Sequence, residues 1–424
     1  MTGRLKTQVL APKELIRPYL RWAYYRLFPR RRPQRFVDCW RYPAHDPSRL
    51  PAEAASEPDV LLFPMNDWHT RMQRTQHLAK AFAAQGHRCI YVNPHLGCQY
   101  HRPYLAEPES RVSVLDTRIL EFHIHLPREH VFHRRLLTTE ETRRIVRETR
   151  ELLGALGVRR AVQLVSFPIW LEAAKLLRDA FRFPIVYDCH DFLGGFENVA
   201  PDIIEKEVET LENCDLAVFS AEHLLETTAA AFPRVRTKSL VARNAVDPSH
   251  FSAADNARSN VVGYMGALDH WFDVAAVERA ARDHPGCIFR LIGRIEDQRV
   301  GRLRDCPNVE FTDEVPYEDL PGYAAGFRVA TIPFVRSPLT LATDPIKLYE
   351  YFSLGLPVVS ARLPEVENYG DLVYLADTPS EFSAQIARAM KEDDPCLRER
   401  RMAVARRETW QSRATQLLEA FKAL

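Results

Sequence analysis

A chain of 424 residues exceeds what one ordinary hydrophobic core supports, so two domains of about 150 to 200 residues are expected. With 46% apolar and 27% charged residues the composition is globular, and a formal net charge of +1 gives no footing for nucleic acid as a partner. Eight scattered cysteines without a Cys-x-x-Cys spacing speak against a zinc site or a disulfide framework and fit a reducing cytoplasm, and no stretch approaches the roughly 18 to 20 apolar residues of a membrane span.

The even balance hides an asymmetry. Residues 1 to 42 carry eleven Lys and Arg against Glu14 and Asp38, whereas the remainder holds 46 basic and 54 acidic residues. Within this arm Leu15, Ile16, Tyr19, Leu20, Ala23 and Leu27 recur at helical spacing beside Arg17 and Arg21, the pattern of a helix lying in an anionic headgroup layer. An arm that packs on its own body, or a solvated extension, reads equally well from the same residues. Pro43 to Pro58 is rich in Pro, Ala and Ser, so residues 1–57 are read as a basic amphipathic arm and linker.

The body opens with Asp59-Val-Leu-Leu-Phe-Pro64 as a buried strand, a helix over about Arg71 to Gln85, and a strand at Cys89 to Val92. That order is a βαβ unit with a parallel sheet. Further strands are predicted at 112–115, 161–165, 185–187, 217–220 and 240–242, with helices near 140–156, 170–181 and 202–212. A second run follows, with strands at 261–265, 288–292, 309–311, 329–332 and 357–360. Helix is expected again from about Asp394 to Leu424. The domains predicted are 58–250 and 251–395, with 396–424 crossing back to the first.

Ligands of doubly wound sheets sit beyond the carboxyl ends of the strands. In the second run this selects Gly266, Ala267 and Leu268, then Gly293 and Arg294, with Phe334 and Arg336 after the fourth strand. Asp344-Pro-Ile-Lys-Leu-Tyr-Glu350 reads as a helix start, Asp344 as N-cap and Pro345 in the first turn. Lys347, with Ile346 beside it, stands at that N-terminus, a phosphate site, and Glu350 lies one turn on, where its carboxylate can accept from a sugar hydroxyl. An exposed Lys–Glu pair explains the same two residues without a ligand. In the first run, Asp188-Cys-His-Asp191 ends a strand with two carboxylates and a histidine. Asp191 is the expected general base, His190 the second candidate, and a packed His190 with a turn-capping Asp188 the alternative without chemistry. Asn66-Asp-Trp-His69 follows the first strand, so Asp67, His69 and Arg74 are acceptor-side candidates, although helix capping accounts for part of that pattern.

These segments together resemble a known family. Residues 344–360, with Lys347 and Glu350, are similar to the donor signature of GT-B glycosyltransferases. Arg243-Asn-Ala-Val-Asp247 with Phe251 resembles their interdomain turn, and Val261-Val-Gly-Tyr-Met-Gly266 with Leu268, Trp271 and Asp273 their first donor-domain strand and loop. The resemblance is to family 4-like enzymes of bacterial exopolysaccharide synthesis and covers roughly residues 58–424. It implies two Rossmann-like α/β domains with parallel sheets facing across a cleft, and a UDP- or GDP-linked sugar donor met by Lys347 at the diphosphate and Glu350 at the ribose. It further implies a lipid-linked or polysaccharide acceptor and no metal, and the basic arm adds the expectation of an enzyme on the inner face of the cell membrane. Two departures bear on mechanism: Ala342 occupies the position of the first glutamate in the Glu-x7-Glu pattern of retaining members, and the loop after the first donor-domain strand lacks their Arg and Lys. An inverting transfer with Asp191 as base is therefore expected, with a non-catalytic GT-B-like protein that binds a nucleotide sugar or a partner glycosyltransferase, or a sugar-nucleotide epimerase, as competing readings.

Overall fold

The computed structural model describes residues 57–66, 68, 71–94, 112–124, 133–252 and 259–424. The amphipathic arm, Asp67 and His69 lie outside the described residues. Two sheets are formed. The first contains β1 (Asp59–Phe63), β2 (Cys89–Pro94), β3 (Val112–Asp116), β4 (Ile119–Ile124), β5 (Ala161–Val165), β6 (Ile185–Cys189), β7 (Leu216–Phe219) and β8 (Ser239–Val241), in the order β3-β4-β2-β1-β5-β6-β7-β8. β1 is flanked by β2 and β5 in parallel, and β3 alone is shown antiparallel, hairpinned to β4. The second contains β9 (Val261–Met265), β10 (Ile288–Ile292), β11 (Val309–Thr312), β12 (Val329–Ile332), β13 (Val358–Ala361) and β14 (Val373–Ala376), all parallel in the order β11-β10-β9-β12-β13-β14. The α/β class with two parallel sheets is as expected from the runs of apolar strands and amphipathic helices.

The described chain divides into two compact units. One takes the residues up to Tyr187 with Asn198–Asp215, the other Asp188–Glu197 with Leu216–Leu424. In the first unit β1 is wholly buried, and Trp170 packs its ring 5.4 Å from that of Phe63 while donating Nε1–H to the Pro64 carbonyl at 2.7 Å. In the second, one apolar core joins Tyr264, Leu291, Val329, Leu348 and Phe352.

Two strands escape the sequence reading. β4 carries Glu121 at its centre, and this buried carboxylate is satisfied by Asn93 Nδ2 of the neighbouring strand at 2.5 Å. A charged residue in an apolar run reads as a break, yet a cross-strand amide makes it tolerable. β14 is four residues long and merges with its flanking loop in any periodicity count. The terminal helical stretch is two helices, Pro395–Arg407 and Trp410–Phe421, because Thr409 turns extended, caps the second helix at Ser412 N–H, and bridges to Val246. The last helix is tied to the turn at 241–246: Gln416 donates to the Val241 carbonyl and Arg413 to that of Arg243, both at 2.9 Å.

Candidate active site

The loops leaving β9 and β10 run backbone against backbone. Gly266 and Gly293 both have φ of +141°, and a Cβ on Gly293 would stand 2.0 Å from the Gly266 carbonyl oxygen, so no other residue fits there. A Cβ on Gly266 would lie 3.2 Å from Cε of Lys347 and 3.1 Å from the Tyr264 hydroxyl. Glycine at 266 thus clears the space in which the lysine side chain runs. The Tyr264 hydroxyl donates to the Ala267 carbonyl at 2.9 Å and fixes the loop's path. The Leu268 side chain is buried, and its N–H donates to the Arg294 carbonyl at 2.9 Å.

Lys347 comes from the first turn of the helix Ile346–Ser353. Its ammonium sits 4.9 Å from the ring centroid of Phe334 and 5.6 Å from that of Tyr264. Two aromatic faces therefore hold the cation beside Gly266. The same helix anchors β9, whose Met265 N–H donates to the Tyr351 hydroxyl at 2.9 Å. Glu350, one turn along, is buried at 7% exposure, and its carboxyl is pushed up to about 7 by loss of solvent, with Lys347 pulling the other way. Hydroxyl or N–H donors from a bound ligand would relieve that penalty.

The helix begins later than the sequence suggests. Asp344 is not its N-cap: Pro345 takes that position and Ile346 is the first helical residue. The Asp344 carboxylate instead accepts from the Asn244 backbone N–H at 2.6 Å and from the Tyr349 hydroxyl at 3.0 Å, while Asn244 Nδ2 donates to the Asp344 carbonyl at 2.6 Å. Burial and the neighbouring Glu365 push the Asp344 carboxyl up to about 7. This carboxylate clips the Arg243–Asp247 turn to the start of the lysine helix. Asp344 therefore positions the site without closing the helix end, which leaves the N-terminal N–H groups of that helix uncapped by side chain.

Arg294 and Arg336 are surface charges, paired with Glu296 and, at 2.9 Å, with Asp377. Ala342, where retaining enzymes of the resembling family have glutamate, is 1% exposed at the end of the short helix Pro338–Leu341.

At the carboxyl end of β6, His190 stands between two carboxylates. Its Nδ1 is 3.0 Å from the Asp188 carbonyl oxygen, which can only accept, so Nδ1 carries a proton. Nδ1 is also 3.8 Å from Asp188 Oδ2, and Nε2 is 3.6 Å from Asp191 Oδ2. Asp188 is fully buried, whereas the Asp191 side chain keeps 25% exposure, so of the two carboxylates Asp191 is the one open to a substrate. The backbone that follows is pressed onto other elements of the same compact unit. A Cβ on Gly195 would lie 2.6 Å from Leu339 Cβ, and the Phe196 ring packs edge-on to Trp271 at 6.1 Å. His190–Asp191 and Lys347–Glu350, far apart in sequence, belong to one compact unit.

Of the acceptor-side candidates, Arg74 is described. It opens the helix Arg74–Ala84 of the first unit and is 2% exposed. Beside it Gln76 Nε2 donates to the Arg71 carbonyl at 2.7 Å, which ties Arg71 to the start of this helix. The polar residues that sequence reasoning passed over are Asn244, whose role depends on a partner 100 positions away, and the Asp269–His270 pair, which the pattern offered only as a loop without Arg or Lys.

Residues 259–392 match the family model described as glycosyl transferases group 1. A curated relative, described as a teichuronic acid biosynthesis glycosyltransferase, TuaH of Bacillus subtilis, is 24% identical over 261 residues, 55% of this chain and 66% of the relative. The chain thus spans just under two thirds of that relative's length. Among solved structures, sucrose-phosphate synthase of Thermosynechococcus elongatus superposes with a TM-score of 0.66 at 16% identity, covering 87% of this chain and 98% of its own. HepE of Anabaena, solved with UDP and glucose, does so at 0.61 and 15% identity, covering 87% and 100%. These structures share the GT-B fold.

Proposed function

We propose that this group 1 glycosyltransferase of GT-B fold, its family carried by residues 259–392, moves a sugar from a UDP- or GDP-linked donor to a lipid-linked or polysaccharide acceptor in bacterial cell-surface glycan synthesis. The observation that carries the reading is Lys347 beside Gly266 at an uncapped helix start, with the buried carboxylate of Glu350 one turn on. The ammonium and the helix N–H groups suit a diphosphate, and Glu350 suits a ribose hydroxyl. UDP is the first choice of nucleotide, since HepE is solved with UDP and glucose.

In the reaction we infer, Asp191 accepts the proton of the acceptor hydroxyl as that oxygen forms its bond to the anomeric carbon, and the bond from that carbon to the phosphate oxygen breaks. The nucleoside diphosphate leaves against Lys347 and the helix end. Configuration inverts in such a single displacement. His190, with Nδ1 committed to the Asp188 carbonyl, turns Nε2 toward Asp191 Oδ2 at 3.6 Å, and as the imidazolium it would donate to both. No residue of the Lys347 cradle is called on to bind a metal, because the cationic side chain and helix end already face the charge that develops.

Ala342 in place of a glutamate favours a second reading, a nucleotide-sugar binder without turnover. A thermal-shift panel of nucleotide sugars followed by transfer assays with membrane extract decides between them. Stabilisation together with transfer supports the enzyme, stabilisation alone the binder, and a new epimer without acceptor an epimerase. The enzyme is proposed to work peripherally on the inner face of the membrane through the basic residues 1–42. Sedimentation with anionic vesicles that weakens steeply between low and high salt, and is lost when the chain starts near Ala55, supports this; equal sedimentation by both forms rejects it.

A further inference from the structure

The loop leaving β9 carries a histidine that the proposed reaction does not use. Asp269 Oδ1 accepts from the His270 backbone N–H at 2.7 Å and lies 3.2 Å from Nδ1 of the His270 ring. A carboxylate only accepts, so in the neutral ring the proton belongs on Nδ1 and Nε2 presents a lone pair. That Nε2 is shut off from solvent and has no hydrogen-bond partner among the described residues. Buried polar atoms are almost always paired, and one that is not calls for a partner from outside the chain, an ordered water or a ligand group.

The position of the ring suits such a group. Along its own loop it is four residues from Gly266, which faces the Lys347 side chain. On its other side the Phe196 ring stands edge-on at 6.3 Å, and Phe196 follows the segment bearing His190 and Asp191. Trp271 flanks the ring at 4.8 Å. The His270 side chain keeps 28% exposure, so the ring borders the surface although Nε2 itself is covered.

We propose that Nε2 of His270, its tautomer held by Asp269, accepts a hydrogen bond from a hydroxyl of a bound sugar, which makes it a specificity-determining contact; this rests on the nucleotide-sugar reading of the Lys347 site. The tautomer selects the chemistry. The ionised oxygens of a diphosphate accept and cannot satisfy a lone pair, whereas a sugar hydroxyl donates to it. That hydroxyl comes from the sugar being transferred or from the sugar that receives it.

The test titrates parent, His270→Ala and His270→Gln with UDP and UDP-glucose, or with GDP and GDP-mannose if the nucleotide-sugar panel favours guanosine, and then measures turnover with membrane extract. Glutamine keeps an acceptor oxygen near the same place, and melting temperatures confirm that both variants fold. The expected result is unchanged affinity for the free nucleotide and a loss of about three- to tenfold for the nucleotide sugar in His270→Ala, partly restored in His270→Gln. A loss seen only in turnover, with nucleotide-sugar affinity intact and the same partial rescue, assigns the hydroxyl to the acceptor and equally supports the contact. Variants that match the parent in every measurement overturn the proposal, as does an equal loss of affinity for UDP and UDP-glucose, which would place His270 at the nucleotide. A parent protein that binds no nucleotide or nucleotide sugar refutes the Lys347 reading itself and this contact with it.

Discussion

The Lys347 cradle and the Asp188–Asp191 segment both lie at carboxyl ends of parallel strands, yet they are built by different means. In the cradle the geometry is imposed by backbone: Gly293 against Gly266, the lysine between two aromatic rings, a carboxylate buried at the helix's first turns. In the other segment the geometry is imposed by side-chain hydrogen bonding and charge, with an imidazole set between a buried and a quarter-exposed carboxylate. A site fixed by backbone is suited to holding one rigid ligand; a site with an open carboxylate is suited to moving a proton. Binding and chemistry should therefore respond separately to mutation.

The largest separation is expected at Asp191. Asp191→Asn keeps the shape and removes the base, so turnover should fall by about 10² to 10⁴ while affinity for the nucleotide sugar stays within error of the parent. Activity within threefold of the parent would exclude Asp191 as base, and product configuration by NMR would then distinguish a retaining route from a role for His190.

A smaller effect, in the opposite sense for stability, is expected at Glu350. Its folded carboxyl is pushed from 4.5 up to about 7, so the folded state holds its proton more tightly than the unfolded chain. Stability is then full below about pH 4.5 and is lost as pH rises through about 7, by up to about 3 kcal/mol. Glu350→Gln should remove the Glu350 share of the slope, roughly half of what the two raised carboxyls contribute, unfolding in urea at a higher midpoint than the parent at pH 8 and at a similar one at pH 5, while binding the nucleotide sugar more weakly. The slope that remains belongs to Asp344, whose carboxyl is raised in the same direction. A parent whose stability is flat between pH 5 and 8 would show that Glu350 is not held as a buried carboxylate.

How much of this was legible beforehand follows the same division. The apolar runs that became β1, β9, β12 and β13 were readable because a strand buried on both faces leaves an uninterrupted signature. The placement of Lys347, Glu350, Gly266 and Gly293 was readable because its signal is local, a helix start or a glycine directly after a strand, whereas the close approach of Gly293 to the Gly266 carbonyl was not. The opening residue of the lysine helix was misread because Asp344 answers to Asn244, 100 residues earlier, and a long-range partner overrides a local capping preference. β4 was missed for the same reason, its central Glu121 being made tolerable by a donor on the neighbouring strand, Asn93. The Asp269–His270 pair is adjacent in sequence, but that Nε2 is buried and unpartnered is a fact of packing that no spacing reveals.

If Lys347 meets the donor's diphosphate, calorimetric titration of the parent and Lys347→Ala with UDP shows it without acceptor, turnover or membrane. Charge-assisted contacts of this kind contribute about 1.5 to 3 kcal/mol, so the variant should bind UDP about ten- to a hundredfold more weakly while melting normally in the absence of ligand. Equal UDP affinity in the two proteins would contradict the assignment, and with it the cradle as the nucleotide-sugar site.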